Sequence, residues 1–394
     1  MSHSDQAQRI VNYAIQNWHR NFTGTSALDL AERLTVPHED VRTIVEQLCN
    51  EGKGSINRDV ELYQIKLNPL APRADTLGEL VKTHVYFPSK EILHADFYGS
   101  DLAKRNLPEY QRRMHLGANQ LGLVFFSEEV LARYLSHPEL YNVHDSLAGG
   151  EVISQSAVPE DRLLDLRYGK SRQTLGQTAV TAIYKDLAVM SPAEQRYWHS
   201  YELDRPNLAP GDENFLRFLA RTYDGEFVDY PSPIADVLSG MAEINHVLAP
   251  DSLFGRLENF HLHFPVEQTY KSLCDCASEL YKVIGPDGMD QSALRRHLTV
   301  ALGIEESQLI NAESKRPLST LQMFSLAEQT LRAGGSLTTA IRKVGELRTD
   351  ADHKVLPKES EPANYSDTFS GLCADLVAGL AAFKFALEAR RNDT

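Results

Sequence analysis

From Pro231 to its end, the chain reads as a succession of amphipathic helices, and this pattern constrains the fold more than any other feature. Apolar residues recur three to four positions apart, which is the spacing of one helix face. Gly285-Pro-Asp-Gly288 and Gly334-Gly335-Ser336 separate the segments as turns. The sequence therefore predicts a C-terminal helical bundle over residues 231–394. The predicted helices are Ile234–Val247, Leu253–Leu262, Val266–Ile284, Ser292–Leu302, Leu318–Ala333, Leu337–Leu347 and Phe369–Leu387.

A second pattern occupies residues 1–68. One amphipathic helix ends near His19, and Thr23–Ser26 supplies a cap for a second helix, Ala27–Leu34. Pro37 sets the turn into a third helix, Val41–Asn50, and Val60, Leu62, Tyr63 and Ile65 follow in strand-like alternation. This order resembles a winged helix-turn-helix domain.

The resemblance implies contact with DNA through the third helix, and the charges bear on that expectation. Three residues are predicted to bind nucleic acid, namely Arg42 on the third helix and Lys53 and Arg58 on the wing. Acidic side chains crowd the same region, so the sequence predicts at most weak DNA contact. A winged helix used for protein contact or dimerisation is the alternative. The acidic residues are Glu39, Asp40, Glu46 and Glu51.

Asn68–Pro72 reads as a short proline-stiffened linker, and residues 74–230 as a mixed α/β domain. Two aromatic stretches, Tyr168-Gly169-Lys170 and Arg196–Glu202, are of the kind that stacks bases, although core packing explains Trp198 and Tyr201 equally well. No phosphate-binding, dinucleotide-binding, esterase or zincin motif occurs. The predicted strands are His84–Phe87, Val152–Ser154, Leu164–Tyr168 and Ala179–Tyr184, and the predicted helices are Glu128–Leu135 and Pro192–His199.

Arg348 and His353 stand at a predicted junction before the last helix, with charged neighbours that suggest an accessible position. A histidine titrates near neutral pH and can carry the proton of a ribose 2′-hydroxyl. An arginine holds a phosphate through two charge-assisted hydrogen bonds. The same spacing at Arg33/His38 and Arg256/His261 is interpreted as structural.

This R-x4-H arrangement resembles the signature of HEPN-type ribonucleases, although Thr349 stands where the family commonly has an amide or acidic residue. The resemblance implies that Arg348 and His353 are catalytic, that RNA is cut without metal or cofactor, and that two copies form a homodimer with a shared site. Arg342 and Lys343 are the nearby basic residues that would guide RNA. The alternative is a pair that caps and solvates a helix end.

Composition limits the remaining possibilities. The formal net charge of −14 argues against broad attraction to nucleic acid. Cys274 and Cys276 lack a second cysteine pair, so no metal site is expected, and no signal peptide or membrane span is predicted. A cytoplasmic protein is expected. The apolar stripe on the last helix, suited to a core or a dimer seam, consists of Leu372, Leu376, Val377, Leu380 and Phe383.

The sequence thus predicts an α+β, mainly helical protein with a winged helix at 1–68, a mixed α/β domain at 74–230 and a HEPN-like helical domain at 231–394. The leading functional hypothesis is an RNA-cleaving effector of a bacterial toxin or anti-phage defence type, with the other domains sensing or assembling. The alternatives are a winged-helix DNA-binding transcription regulator and a non-catalytic scaffold subunit of a defence complex.

Overall fold

Three helices and a three-stranded antiparallel sheet form the N-terminal part of the chain in the computed structural model. Ser26 begins the second helix, because its side chain accepts a hydrogen bond from the Asp29 amide at 3.0 Å. The strands lie in the order β1-β3-β2. In chain order the elements are α1 (His3–Asn21), β1 (Thr25–Ser26), α2 (Ala27–Leu34), α3 (His38–Asn50), β2 (Gly54–Gln64) and β3 (Glu79–Pro88).

The apolar faces of these helices and of the sheet share one core. Ile10, Leu30, Val41 and Tyr86 are all fully buried in it. The strand predicted at His84–Phe87 is part of β3 and pairs with β2 and β1 in the N-terminal sheet. The local alternation identified the strand, but only the pairing partner decides which sheet it joins.

The structure describes residues 3–64, 79–255, 261–353 and 364–392, without the side chains of 63, 64, 79, 351–353 and 392. Three features of the sequence lie outside the described residues. They are the predicted linker Asn68–Pro72, the helix break at Pro357–Pro362, and Arg256 of the Arg256/His261 pair. Two helices follow β3, namely α4 (Lys90–Gly99) and α5 (Glu109–His115). Two more lie near residue 190, namely α7 (Tyr184–Val189) and α8 (Pro192–Ser200).

A five-stranded sheet occupies the middle of the chain, in the order β4-β8-β7-β6-β5, and the pairs from β5 to β8 are antiparallel. Three of its strands were predicted, whereas the short β4 and β5 were not. The predicted helix Glu128–Leu135 is a 3-10 turn, Glu128–Leu131, followed by the short α6 (Ala132–Leu135). The strands are β4 (Leu123–Ser127), β5 (Tyr141–Asp145), β6 (Gly149–Ser154), β7 (Asp165–Arg172) and β8 (Thr178–Ile183).

The C-terminal half is helical as predicted, with one exception. The predicted helix Leu253–Leu262 is wrong for its described residues, since Phe254 forms a bridge with Met289 instead. A π-helical turn, His297–Ala301, extends α12. The helices are α9 (Glu213–Leu219), α10 (Pro233–Leu248), α11 (Tyr270–Ile284), α12 (Gln291–Arg296), α13 (Thr320–Leu331), α14 (Ser336–His353) and α15 (Tyr365–Asn392).

A buried carboxylate fixes the start of α14. Glu328 is fully buried, and it accepts hydrogen bonds at 3.0 Å from the backbone amides of Leu337 and Thr338. These amides belong to the first turn of the helix, where no intrahelical partner is available. Gly334 and Gly335 provide the left-handed backbone that the sharp approach to this helix requires.

The last helix, α15, is long and apolar enough to cross a membrane by length and composition alone. One side of it lies in the helical core, where Phe369, Leu376, Leu380 and Phe383 are buried. In its most apolar 18-residue window, 39% is buried inside the structure. The apolar stripe predicted as a core or a dimer seam is therefore used inside this core.

The structure confirms the predicted class, a mainly helical α+β protein with two small antiparallel sheets. Its contacts define two compact units, residues 1–124 with 182–200 and residues 125–181 with 201–394. Residues 125–181 and 201–230 thus belong with the C-terminal helices. The division into domains at 1–68, 74–230 and 231–394 stays a prediction.

Candidate functional site

The three residues predicted to bind nucleic acid near the N-terminus are each engaged by a carboxylate. Arg42 lies 3.3 Å from both Glu39 and Asp59. Lys53 Nζ lies 2.9 Å from a Glu51 oxygen, and Arg58 Nε lies 3.4 Å from Glu46. A phosphate would have to displace these carboxylates and then remain next to them. The surface formed by α3, β2 and the turn between them therefore attracts the phosphates of nucleic acid only weakly. The carboxylate partners are Glu39, Glu46, Glu51 and Asp59.

Arg348 and His353 both lie in α14, which continues without a break through residue 353. The predicted end of this helix near Leu347, which would have placed both residues in a junction, is therefore wrong. A separation of five residues is a rotation of about 140° on an α-helix, so the two backbone positions lie on different sides of α14. The His353 side chain lies outside the described residues.

The Arg348 guanidinium is held on the surface of α11. Its carbon lies 5.1 Å from the centre of the Tyr281 ring, and Nη1 lies 3.7 Å from an Asp287 oxygen. The side chain is 37% exposed. The Arg348 side chain is thus packed against Tyr281 and still partly accessible to solvent, which is compatible with either a structural or a phosphate-binding role.

The two basic residues expected to guide RNA do not converge on Arg348. Lys343 Nζ lies 2.7 Å from an Asp375 oxygen and ties α14 to α15. Arg342 is exposed one position earlier on the same helix. Positions six and five residues before Arg348 face away from it, because each residue turns the helix by about 100°.

The cysteines do not assemble a metal centre. Cys274 and Cys276 are both buried on α11, and the closest histidine contact is His263 Nδ1 at 3.7 Å from the Cys276 sulfur. Among the described residues, no three or more histidine, cysteine or carboxylate side chains converge.

A buried ionic cluster in the second unit is the most unusual chemical feature of the structure. Lys170 on β7 places Nζ 2.8 Å from an Asp145 oxygen and 3.1 Å from Glu128 Oε1. The three side chains are 5%, 2% and 4% exposed. The Tyr168 hydroxyl donates to Asp145 at 2.7 Å. Such a cluster costs desolvation energy, and that cost makes it a candidate functional site.

The sheet and a turn position these groups. Asp145 ends β5, and Lys170 and Tyr168 alternate along β7, so their side chains share one face. Gly149 and Gly150 begin β6 where the backbone passes within 2.2 and 2.0 Å of where a Cβ would stand, and only glycine fits there. The hairpin can therefore bring Asp145 against Lys170.

The electrostatics keep the lysine charged. Burial alone disfavours the ammonium, but Asp145 and Glu128 outweigh this effect and raise the pKa of Lys170. Burial raises the pKa of the Glu128 carboxyl, an effect that the Lys170 charge opposes. A lysine held in its charged form cannot act as a nucleophile, so the cluster is suited to binding and positioning rather than covalent chemistry.

The sequence suggested base stacking for Tyr168-Gly169-Lys170 because of its aromatic residue. It predicted no role for Lys170. The core interpretation is confirmed for Trp198, which is fully buried. Tyr201 lies just after the end of α8 and is only partly buried. Lys170 continues the alternation of Leu166 and Tyr168 along β7, and this position on the buried face of the strand was the available signal. Its partners come from 25 and 42 residues earlier in the chain (170 − 145 and 170 − 128), and no local pattern connects them.

No protein-family model matches this chain, and no curated protein or solved structure matches it either.

Proposed function

We propose that this protein is a non-catalytic, cytoplasmic assembly subunit whose N-terminal winged-helix domain contacts another protein. The order of α1, β1, α2, α3, β2 and β3, with both longer strands following the third helix, supports the winged-helix assignment. The wing is the hairpin of β2 and β3. This proposal corresponds to the scaffold alternative rather than to the DNA-binding regulator.

The observation that carries the proposal is the neutralisation of Arg42, Lys53 and Arg58. Each exposed ion pair contributes little to stability, about 0 to 1 kcal/mol. Together they leave α3 and the wing with alternating charges, a surface that complements a partner of mixed charge and repels a polyanion.

Binding of double-stranded DNA tests this proposal most directly. Fluorescence anisotropy with a mixed pool of duplexes at physiological salt should show no tight, sequence-selective binding. Arg42→Ala should leave the weak signal almost unchanged, and Arg33→Ala, an exposed arginine on α2, is the matched control. Tight, selective binding that Arg42→Ala abolishes, with a steep loss on added salt, would restore the DNA-binding regulator.

A second candidate is metal-free RNA cleavage by Arg348 and His353 in a homodimer, as an effector of a toxin or anti-phage type. The partly exposed Arg348 side chain, with its guanidinium packed against the Tyr281 ring, supports it. In this function His353 would move the proton of the 2′-hydroxyl, and Arg348 would stabilise the charge that develops on the phosphate. Arg342 and Lys343 would contact RNA outside the site.

Cleavage of single-stranded RNA in EDTA separates the two candidates. The second requires products that end in a 2′,3′-cyclic phosphate, resistance of the matched DNA, and loss of activity in His353→Ala and Arg348→Ala. Because a trigger can be missing from the purified protein, growth inhibition on expression is compared for the same variants, with Arg33→Ala, an exposed arginine of α2, as the control. Activity that survives both catalytic substitutions unchanged eliminates this candidate.

A further inference from the structure

A largely apolar cavity of about 400 Å³ lies at one end of the helical core, inside the second unit. Three helices of that core end beside it, since α10 ends at Leu248, α13 at Leu331 and α15 at Asn392. Small-molecule sites typically measure about 300 to 1,000 Å³. The cavity is therefore large enough for a ligand of several carbon atoms.

Aliphatic side chains form most of the lining of this cavity. Leu302 and Leu387 belong to the core and are 9% and 4% exposed, whereas Val300 is 83% exposed. The apolar lining therefore extends from the core out to solvent, and a hydrocarbon chain placed along it would lose contact with water. The other apolar residues of the lining are Val247, Leu248, Ala301 and Leu331.

A π-helical turn contributes one side of the cavity. The turn His297–Ala301 continues α12, and such turns occur frequently at functional sites. The His297 ring lines the cavity, and within the part of the chain that the structure describes its Nε2 atom is buried without a hydrogen bond. Burial lowers the pKa of His297, an effect that Asp251 opposes, and Asp251 is itself paired with Arg296 at 2.8 Å. The ring is therefore neutral at physiological pH and adds no charge to the cavity.

Two arginines supply the charge of the cavity. Arg390 and Arg391, in the last turn of α15, both line it and are both exposed. The lining contains no carboxylate side chain among the described residues, although the chain carries a formal net charge of −14. Basic residues at the end of a helix also interact with its last carbonyl groups. Two guanidinium groups beside an apolar cavity nevertheless form a site that favours an anionic head group.

The aliphatic lining and the two cations together select the ligand. A small anion would leave the apolar surface uncovered, and an uncharged hydrocarbon would make no use of the arginines. We propose that the cavity binds an aliphatic monocarboxylate, with its carboxylate held by the two arginines and its hydrocarbon chain against Val300, Leu302 and Leu387. This inference is independent of the protein contact proposed for the N-terminal domain.

Saturation-transfer NMR titrations of the full chain with sodium octanoate test the proposal. Octanoate should bind about tenfold more tightly than acetate, which lacks the hydrocarbon chain. It should also bind more tightly than octan-1-ol and octylamine, which lack the negative charge. The double variant Arg390→Gln, Arg391→Gln should weaken octanoate binding by about tenfold. Arg33→Gln, at an exposed arginine of the first unit, is the control and should bind as the wild type does.

Val300→Glu keeps the test decisive. The position is exposed, so the substitution leaves the core intact, while the new carboxylate should repel the ligand and weaken octanoate binding by about tenfold. Val189→Glu, at an exposed valine of the first unit, is the matched control and should bind as the wild type does. The proposal is overturned by an absence of octanoate binding, by equal binding to the wild type and the double arginine variant, or by tighter binding of octan-1-ol or octylamine.

Vesicles of phosphatidylcholine and phosphatidylglycerol distinguish a free acid from a lipid surface, because a bilayer also presents hydrocarbon chains and anionic groups. The protein should remain in the supernatant when these vesicles are sedimented. Cosedimentation that Val300→Glu abolishes would assign this surface to a membrane and would overturn the proposal.

Discussion

The Lys170 ammonium lies 2.8 Å from the Asp145 carboxylate, and both side chains are at least 95% buried. Two charges removed from water in this way require each other, because either one alone would carry its full desolvation penalty. The pair joins the end of β5 to the middle of β7, and Glu128 adds a third charge from the turn after β4. The energetic dependence of these groups on one another leads to the first prediction.

Lys170→Met should lower the free energy of unfolding by about 3 to 5 kcal/mol, since it leaves Asp145 and Glu128 buried without a cation. Urea denaturation followed by circular dichroism measures the loss. Lys271→Met, which removes an exposed lysine paired with Asp275, is the matched control and should change stability by about 0.5 kcal/mol or less. Similar small losses in both variants would contradict the buried ionic cluster.

Glu328→Gln should destabilise the C-terminal helices by about 1 to 3 kcal/mol, because an amide group replaces a carboxylate that accepts from the Leu337 and Thr338 amides. Hydrogen exchange of the first turn of α14 should quicken in the same variant. Glu346→Gln, at an exposed position of α14, serves as the control. Unchanged exchange at Leu337 and Thr338 would show that Glu328 does not cap this helix.

Acid should destabilise the N-terminal unit through His115. Burial lowers the pKa of His115 to about 4, below the usual 6.5 of an unfolded histidine. Because the folded state resists protonation of His115 and the unfolded state does not, the group lowers the free energy of unfolding as the pH falls. Its contribution is fully present above pH 6.5 and is lost between pH 6.5 and about 4. The shift corresponds to about 3 kcal/mol at most.

The test compares the wild type with His115→Gln in denaturant titrations from pH 7 to pH 4. The variant should lose less free energy of unfolding over this interval than the wild type does. His137→Gln, an exposed histidine, is the control. Parallel pH profiles for the wild type and His115→Gln would exclude His115 as the source.

A homodimer remains the expected state for a shared RNA-cleaving site. Because Leu376, Leu380 and Phe383 are buried in the helical core, a dimer seam on α15 must use its other side. Phe385 lies there and is 73% exposed. Phe385→Glu should weaken the dimer by about tenfold or more in Kd. Light scattering at micromolar concentration measures the mass, and a monomeric wild type would remove the shared-site mechanism.

Local patterns determined most of the helices. The capping serine at Ser26, the proline at Pro37 and the apolar periodicity of α10 and α13 placed those elements within a few residues, because caps, turns and amphipathic faces depend on neighbours in sequence. The predicted helix at Leu253 failed for the opposite reason. Its apolar residues serve a bridge between Phe254 and Met289, and such a contact has no local signature.

Only the tertiary structure determined which charged residues distant in sequence are paired, and which side chains form the buried ionic cluster. The sequence placed Glu39 one helical turn before Arg42, but only folding brought Asp59 within reach of Arg42 and Glu46 within reach of Arg58. Folding likewise brought Glu128, which follows β4, and Asp145, which ends β5, to Lys170 on β7. Electrostatic energy depends on distance in space and on burial, and neither quantity can be read from spacing along the sequence.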